Sequence, residues 1–255
     1  MRPRMLILAV VSGKGGAGKT MTSCALARHF SRRSPVTVLD LDLHGPNVLT
    51  QFGFPLRYAE MTAGKVKPVW YEPNLAVYSA EMQGDTEGRG FVATDAQKRE
   101  WVLDAFEAID LGPSRYVVCD LPAGLDEIFY QVAQHAPIDA FVVVTNPDEP
   151  ALQDAEKMVR LMIDFKLHRK ILGVVENKAR IDCPKCQHSW RVANGVGAKA
   201  RLCEQYGLPF LGEIPYIWKH EHADVLEHPM LRGMAEALVR AKFKQRKLRR
   251  LLGGG

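Results

Sequence analysis

Short apolar runs alternate with longer amphipathic segments along nearly the whole chain. Such runs are typical of strands buried on both faces, and the segments between them have the spacing of helices. The pattern predicts strands near residues 5-11, 36-42, 74-80, 115-120, 140-145, 171-176 and 209-214. It predicts helices near residues 18-31, 95-110, 126-135, 149-165, 198-206 and 230-251. This alternation indicates an α/β fold, with a mostly parallel, doubly wound sheet and helices on both faces.

Two segments lack a clear period, residues 44-73 and 178-197, and we expect both to be irregular. No repeat or long linker divides the chain, so 255 residues with 47% hydrophobic composition predict a single domain over residues 1-255. No stretch approaches the roughly 20 apolar residues that span a bilayer. The charged start runs directly into the first strand instead of resembling a signal peptide, so we expect a cytoplasmic protein.

The positive charge is concentrated near the C-terminus. Seven basic residues lie between 240 and 250, more than the whole net charge of +5, so the body of the chain gives no support to nucleic-acid binding. These residues fall in the basic helix predicted near 230-252. With Leu248, Leu251 and Leu252 they could bind an anionic membrane surface, or form a solvated helix end whose cations suit the helix dipole.

The first motif with a chemical role is "SGKGGAGKT", directly after the first predicted strand. Its spacing matches the phosphate-binding loop G-x-x-x-x-G-K-[ST], in which glycine N–H groups and the following helix bind phosphates. Lys19 would neutralise the β and γ phosphates of ATP, and Thr20 would offer a hydroxyl to Mg²⁺. Lys14 is an additional cation that this motif does not require. The candidate nucleotide-binding residues here are Gly13, Gly15, Gly16, Ala17, Gly18, Lys19, Thr20 and Met21.

Three aspartates lie at the carboxyl ends of predicted strands, where open parallel sheets bind their ligands. Asp40 and Asp42 end the second strand in "VLDLDLHGPN", and Asp120 ends the fourth in "VVCDLPAG". An aspartate after a β-branched strand is the Walker B pattern, which holds magnesium directly or through water. Asp40 and Asp42 point to one side of an extended chain, so one could join the metal shell while the other orients the attacking water.

A pair of cysteines, Cys183 and Cys186, is spaced to present two thiolates to one metal. Tetrahedral metal sites and cubane iron-sulfur clusters require four ligands. Either His188 and Cys203 complete a site within one chain, or two chains each donate a pair. The pair alone also fits a redox disulfide or structural Zn²⁺, and the odd total of five cysteines favours a reducing compartment.

The phosphate loop resembles that of the MinD/ParA class of dimeric P-loop ATPases. Four segments are similar to one branch of that class, the Mrp/ApbC-type iron-sulfur cluster carriers. They are the loop itself, "DLDLHGPN", "VVVTNPDEPALQDAEKMVRL", and "GVVENKARIDCPKC" with "YGLPFLGEIP". The resemblance implies a P-loop NTPase fold, a homodimer and a 4Fe-4S cluster bridged by the cysteine pairs of two subunits. Apo iron-sulfur client proteins would receive that cluster.

The resemblance also implies roles for single residues. Lys14 would reach the phosphates of the partner subunit, Asp42 would position water, and Asp120 would act as Walker B. Asn177 would read adenine and Pro215 would line its pocket. Thr20, Asp40 and Asp120 would hold Mg²⁺, and Lys14, Lys19 and Asp42 would support slow ATP hydrolysis. Two alternatives remain: a MinD/ParA-like positioning ATPase with a membrane-binding tail and structural zinc, or a nickel-type metallochaperone.

Overall fold

The largest structural feature is an eight-stranded sheet whose strands come from most of the length of the chain. The computed structural model describes residues 5–43, 45–83, 95–125, 127–183, 185–186, 188–193, 195–217, 226, 229 and 231–240. Within these residues the sheet has the order β12-β9-β8-β1-β7-β2-β6-β5. All the pairings are parallel except β5 with β6, which is antiparallel at one edge.

The strands of this sheet are β1 (Leu6–Val11), β2 (Val36–Asp40), β5 (Val69–Glu72), β6 (Leu75–Ser79), β7 (Tyr116–Asp120), β8 (Ala140–Thr145), β9 (Ile171–Asn177) and β12 (Phe210–Ile214). Two small antiparallel hairpins pair β3 (Glu60–Thr62) with β4 (Lys65–Lys67) and β10 (Arg180–Asp182) with β11 (Ser189–Arg191). The α-helices are α1 (Lys19–Ser31), α2 (Val48–Phe52), α3 (Asp95–Ala108), α4 (Glu127–His135) and α5 (Glu149–Asp164). Two 3₁₀ turns (Ala80–Gln83 and His168–Lys170), a π-helical segment (Lys199–Glu204) and a helix over 231–240 complete the described elements.

Each face of the sheet has its own apolar core. Side chains alternate along β1, so Ile7 and Val11 face one core and Leu8 and Val10 face the other. Helices α3, α4 and α5 contribute to the first core, and α1 and the helix over 231–240 contribute to the second. The central strands β1, β7 and β8 are mostly apolar because both of their faces are covered.

The predicted α/β fold is confirmed, and each of the seven predicted strands has a counterpart within one or two residues. The irregular structure predicted for residues 44-73 is wrong, because this segment holds α2, the β3–β4 hairpin and the edge strand β5. Residues 178-197 are likewise not wholly irregular, since β10 and β11 lie there. The predicted helix near 198-206 is largely π-helical, and most of the predicted basic helix, from residue 241 onward, lies outside the described residues.

Candidate functional site

The phosphate-binding loop connects β1 to α1 and is shaped by its glycines. Gly18, at the N-cap of α1, has a φ of 95°, and a Cβ there would lie 2.1 Å from Nδ2 of Asn177. Only glycine accepts both constraints. Helix α1 then begins at Lys19 with no acidic residue in its first turn. The N-terminus of α1 therefore offers backbone N–H groups and a positive dipole end to an anion.

The end of β9 holds this loop in place from the other side. The side-chain amide of Asn177 donates to the carbonyl of Ala17 at 2.9 Å, and Nζ of Lys178 donates to the carbonyl of Gly16 at 3.2 Å. Asn177 is buried, whereas Lys178 is half-buried at the rim. The loop and the end of β9 therefore form one hydrogen-bonded unit.

Asp120 lies at the carboxyl end of β7, beside the start of α1. Its Oδ2 accepts a hydrogen bond from Oγ1 of Thr20 at 2.6 Å, and its Oδ1 accepts one from Oγ of Ser23 at 2.9 Å. Burial raises the pKa of Asp120 to about 6, against the hydrogen bonds from Thr20 and Ser23 and the charge of Lys19, which lower it. A buried carboxylate held next to a threonine hydroxyl is a fitting donor set for Mg²⁺.

Asp40 and Asp42 differ more than the sequence suggested. The register pairs Asp40 with Asp120 on neighbouring strands, and burial together with the charge of Asp120 raises the pKa of Asp40. The Asp40 carboxylate accepts backbone N–H groups of Asp42, Asn47 and Val48 at 3.0 to 3.3 Å. Asp40 thus organises the loop that carries Asp42, and Asp42 is the one of the two that lines the pocket.

Lys14 is tied to the start of α5. Its Nζ lies 2.7 Å from Oδ1 of Asp148, and the same oxygen accepts the N–H of Ala151, which makes Asp148 the N-cap of α5. Burial alone raises the pKa of Asp148, but the hydrogen bonds from Lys14 and Ala151 outweigh it and lower the pKa. Lys14 therefore occupies an ion pair within its own chain.

The pocket between these elements has a volume of about 580 Å³. The predicted residues among its lining are Gly15, Gly16, Gly18, Lys19, Thr20, Met21, Asp42, Asn177 and Pro215. The other residues predicted for nucleotide or Mg²⁺ are not among the lining residues of this pocket: Gly13, Lys14, Ala17, Asp40 and Asp120. Gly13 packs so closely on α5 that a Cβ would lie 2.4 Å from the carbonyl carbon of Asp154.

Several residues of the site were not found from the sequence. Asn47, Thr50, Gln51, Lys178, Tyr216 and Ile217 line the pocket, and Ser23 and Asp148 hold Asp120 and Lys14. Two signals were available. Ser23 lies one helical turn after Thr20, and Asp148 precedes "EP", an acidic N-cap followed by proline in the first turn.

The two cysteines lie on the β10–β11 hairpin. Cys183 directly follows β10 and is half-buried, and Cys186 is exposed. Backbone N–H groups of Cys186 and Lys185, together with the Cys186 side chain, lower the pKa of the Cys183 thiol by hydrogen bonding to its sulfur. The N–H of Cys183 donates in turn to the carbonyl of His188 at 2.9 Å. The turn therefore favours a thiolate, which is the form of cysteine that binds metal.

The structure decides against completion of the site by His188 and Cys203 within one chain. Cys203 is buried in the core, where burial raises the pKa of its thiol to about 12. Among the described residues, no three of histidine, cysteine, aspartate and glutamate lie close enough to hold a metal together. Cys24 and Cys119 are also buried, as small hydrophobes.

The comparison with known families is decisive. The family described as ParA, NUBPL iron-transfer P-loop NTPase, matches residues 5–245. The chain belongs to this family. As an iron-transfer P-loop NTPase it is an ATPase of the ParA/MinD type. A cytosolic Fe-S cluster assembly factor NUBP1 homolog of Caenorhabditis briggsae is 29% identical over 215 residues, which cover 82% of this chain and 68% of the relative.

Solved structures agree on the fold of this NUBPL-family chain. A nucleotide-binding protein from Archaeoglobus fulgidus in complex with ADP is 25% identical, with a TM-score of 0.69 over 91% of this chain and 87% of that one. The septum site-determining protein MinD from Pyrococcus horikoshii, complexed with Mg-ADP, is 18% identical, with a TM-score of 0.60 over 98% of both chains. Within the described part of the chain, no helix is long and apolar enough to cross a membrane.

Proposed function

We propose that this protein is an ATP-dependent carrier that holds a 4Fe-4S cluster between the Cys183–Cys186 pairs of two subunits and passes it to apo iron-sulfur proteins. The observation that carries the proposal is the hairpin turn, in which N–H groups favour the thiolate of Cys183 beside an exposed Cys186. A cubane cluster takes four cysteine ligands. One described chain offers two of them on this turn, so two chains complete the set.

The nucleotide pocket fits ATP with Mg²⁺. Lys19 lies at the start of α1, where its ammonium and the helix N-terminus would bind the β and γ phosphates. Thr20 and Asp120 would hold the metal, with Asp40 behind them. When bound, Mg²⁺ neutralises charge on the phosphates. The base would lie at the end lined by Met21, Asn177 and Pro215.

Hydrolysis needs a residue that orients water and a cation on the transferred phosphoryl group. Asp42 is the pocket's half-buried carboxylate after β2 and is our candidate for the first role. Lys14 is our candidate for the second, acting on the nucleotide of the partner subunit. In the single chain Lys14 is paired with Asp148 instead, so formation of the homodimer would have to replace that pair. Slow turnover of the isolated protein follows from this requirement.

The remaining parts of the proposal concern organisation. The two cores lie on the two faces of one sheet, which supports a single ATPase domain over residues 1–255. The C. briggsae relative is described as cytosolic, and we propose a cytoplasmic location here as well. No membrane or nucleic-acid partner is part of the proposal.

The experiment is anaerobic reconstitution with iron and sulfide. Three quantities are then measured: the absorbance at about 400 nm, where iron-sulfur clusters absorb, the metal content, and the mass of the assembly. The proposal expects one 4Fe-4S cluster per two chains, which the Cys183→Ser, Cys186→Ser double variant loses. Cys203→Ala is the matched control, because it removes a buried thiol and should retain the cluster. A zinc-only dimer, or a chain that holds no cluster, would contradict the proposal.

A further inference from the structure

The β10–β11 hairpin, called the cysteine hairpin below, directly follows the strand whose end lines the nucleotide pocket. Strand β9 ends at Asn177 and β10 begins at Arg180, so only two residues separate a pocket residue from the hairpin. Backbone hydrogen bonds fix this junction to β12 and the segment after it. Ala179 N donates to the carbonyl of Ile214 at 3.0 Å, and Tyr216 N donates to that of Arg180 at 2.7 Å. Tyr216 itself lines the pocket.

The hairpin has little apolar anchorage of its own. Its strands have three residues each, and none of these six residues is buried. Trp190 is 50% exposed. Hydrophobic burial therefore contributes little to its orientation, and polar contacts must fix how the cysteine turn sits on the sheet.

The central polar contact is made by Arg191 on β11. One of its terminal nitrogens lies 3.1 Å from a carboxylate oxygen of Glu176 and 3.0 Å from one of Glu213. Glu176 is the residue before Asn177 on β9, and Glu213 lies on β12. Arg191 thus ties the outer strand of the hairpin to the two sheet strands that form the rim of the pocket.

This contact differs from an ordinary surface ion pair because Glu176 has a side chain that is 1% exposed. Its other oxygen accepts the N–H of Ala198, at the start of the π-helical segment. Burial, and the nearby Glu213, raise the pKa of Glu176, while the N–H of Ala198 and Arg191 counteract them. Removal of the partner of a buried charge is costly, so the position of Arg191 is strongly determined.

A nucleotide would act on the same junction through Lys178. This residue connects β9 to β10 and has a φ of 56°, a left-handed conformation that is unfavourable for a lysine. Its ammonium donates to the carbonyl of Gly16 in the phosphate loop. Phosphate oxygens would compete with that carbonyl for the ammonium. A resulting shift of Lys178 would move the start of the hairpin, because β10 begins two residues later.

We propose that Arg191, held by Glu176 and Glu213, is a positioning residue that makes the orientation of the Cys183–Cys186 turn depend on the nucleotide in the pocket. The inference rests on the proposed function in taking these two cysteines as the ligand pair. Coupling between two binding sites is reciprocal. A metal bound by the cysteines would therefore change nucleotide affinity by the same factor by which the nucleotide changes metal affinity.

The test uses the full chain without a cluster, either nucleotide-free or with saturating Mg-ADP. Hydrogen exchange of peptides covering residues 180–192 and the alkylation rate of Cys183 and Cys186 are measured in both states. The ratio of each rate between the two states should be about 5-fold or more, which is the lower end of the coupling found between linked sites. In Arg191→Met the hairpin should exchange faster in both states, and the ratio between the states should fall to about 1. Arg191→Lys, which keeps one charge, should restore part of the ratio.

The matched control is Arg160→Met, which removes an exposed arginine paired with Glu156 on α5 and should keep the parent ratio. Binding of a fluorescent ADP analogue verifies that each variant is folded. A parent chain with the same exchange with and without ADP, or an unchanged ratio in Arg191→Met, would overturn the inference. Cluster reconstitution is independent of this measurement, so a cluster-binding chain without coupling would reject the inference alone, and coupling without a cluster would reject the carrier function alone.

Discussion

The proposed nucleotide pocket and the cysteine hairpin are held in place by different kinds of contact. The pocket lies at the carboxyl ends of strands that are covered on both faces, and Lys19, Asp120 and Asn177 in or behind it are buried. The hairpin has two strands of three residues, all exposed or half-buried, and is held by arginine–carboxylate contacts. The difference indicates that apolar packing makes the pocket rigid, whereas the orientation of the hairpin depends on a few polar contacts.

The strongest expected effect concerns the chemistry of the pocket. Lys14→Ala should lower ATP hydrolysis per chain by about 10³-fold or more, because a cation supplied in trans to the phosphoryl group has that magnitude. Turnover measured across a range of protein concentrations reports both the loss and the dependence on dimer formation. Lys157→Ala is the control, since it removes an exposed lysine of α5. Full activity of Lys14→Ala would show that Lys14 is only a loop residue tied to Asp148.

The second prediction contrasts the packing of the two regions. Phe141, on β8, is fully buried, so Phe141→Ala should lower the free energy of unfolding by about 3–5 kcal/mol through lost burial and a cavity. Trp190 on the hairpin is half exposed, and Trp190→Ala should change it by no more than about 0.5 kcal/mol. Urea denaturation of both variants checks the pair of values. Comparable losses would mean that the hairpin is anchored by apolar contacts after all.

The sequence predicted the sheet better than the hairpins, for a physical reason. Strands covered on both faces are mostly apolar, so β1, β7 and β8 are recognisable as apolar runs in the sequence. The β3–β4 strands have three residues each and almost no burial, and their turn places Ala63 and Gly64 at positive φ without an asparagine-glycine signal. Local pattern therefore carries little information there.

The candidate site shows the same division. The phosphate loop and Asp120 follow from motif spacing, because glycines and a strand-end carboxylate are required at fixed places. The partner of Lys14 lies 134 residues away, and Arg191 joins residues 15 and 22 positions distant. Spacing along a chain does not determine such contacts. They depend on which strands the topology makes neighbours.

The third prediction uses glycines in the two regions. Gly18→Ala should destabilise the nucleotide-free chain by about 1–3 kcal/mol, since φ is 95° and the new Cβ would meet the Asn177 side chain. Gly195, beyond the hairpin, has open space around it and no positive φ. Gly195→Ala should therefore be neutral or stabilising by up to about 1 kcal/mol. Thermal unfolding of the two variants separates these expectations, and equal shifts would show that the loop tolerates a side chain.

The smallest effect concerns the ion pair that holds Lys14 in the single chain. Asp148→Asn keeps an N-cap for α5 but removes the charge, since asparagine and aspartate cap equally well. Lys14 and Asp148 are one-third or more exposed, so the pair should contribute less than about 1 kcal/mol at neutral pH. Because the folded-state pKa of Asp148 is lowered, this contribution is present above the ordinary pKa of 3.8 and is lost as the pH falls through the lowered value. Urea denaturation at pH values from neutral down to the acid limit of folding should show parent and variant converging, and a difference that persisted in acid would mean that Asp148 acts through its shape as a cap and not through its charge.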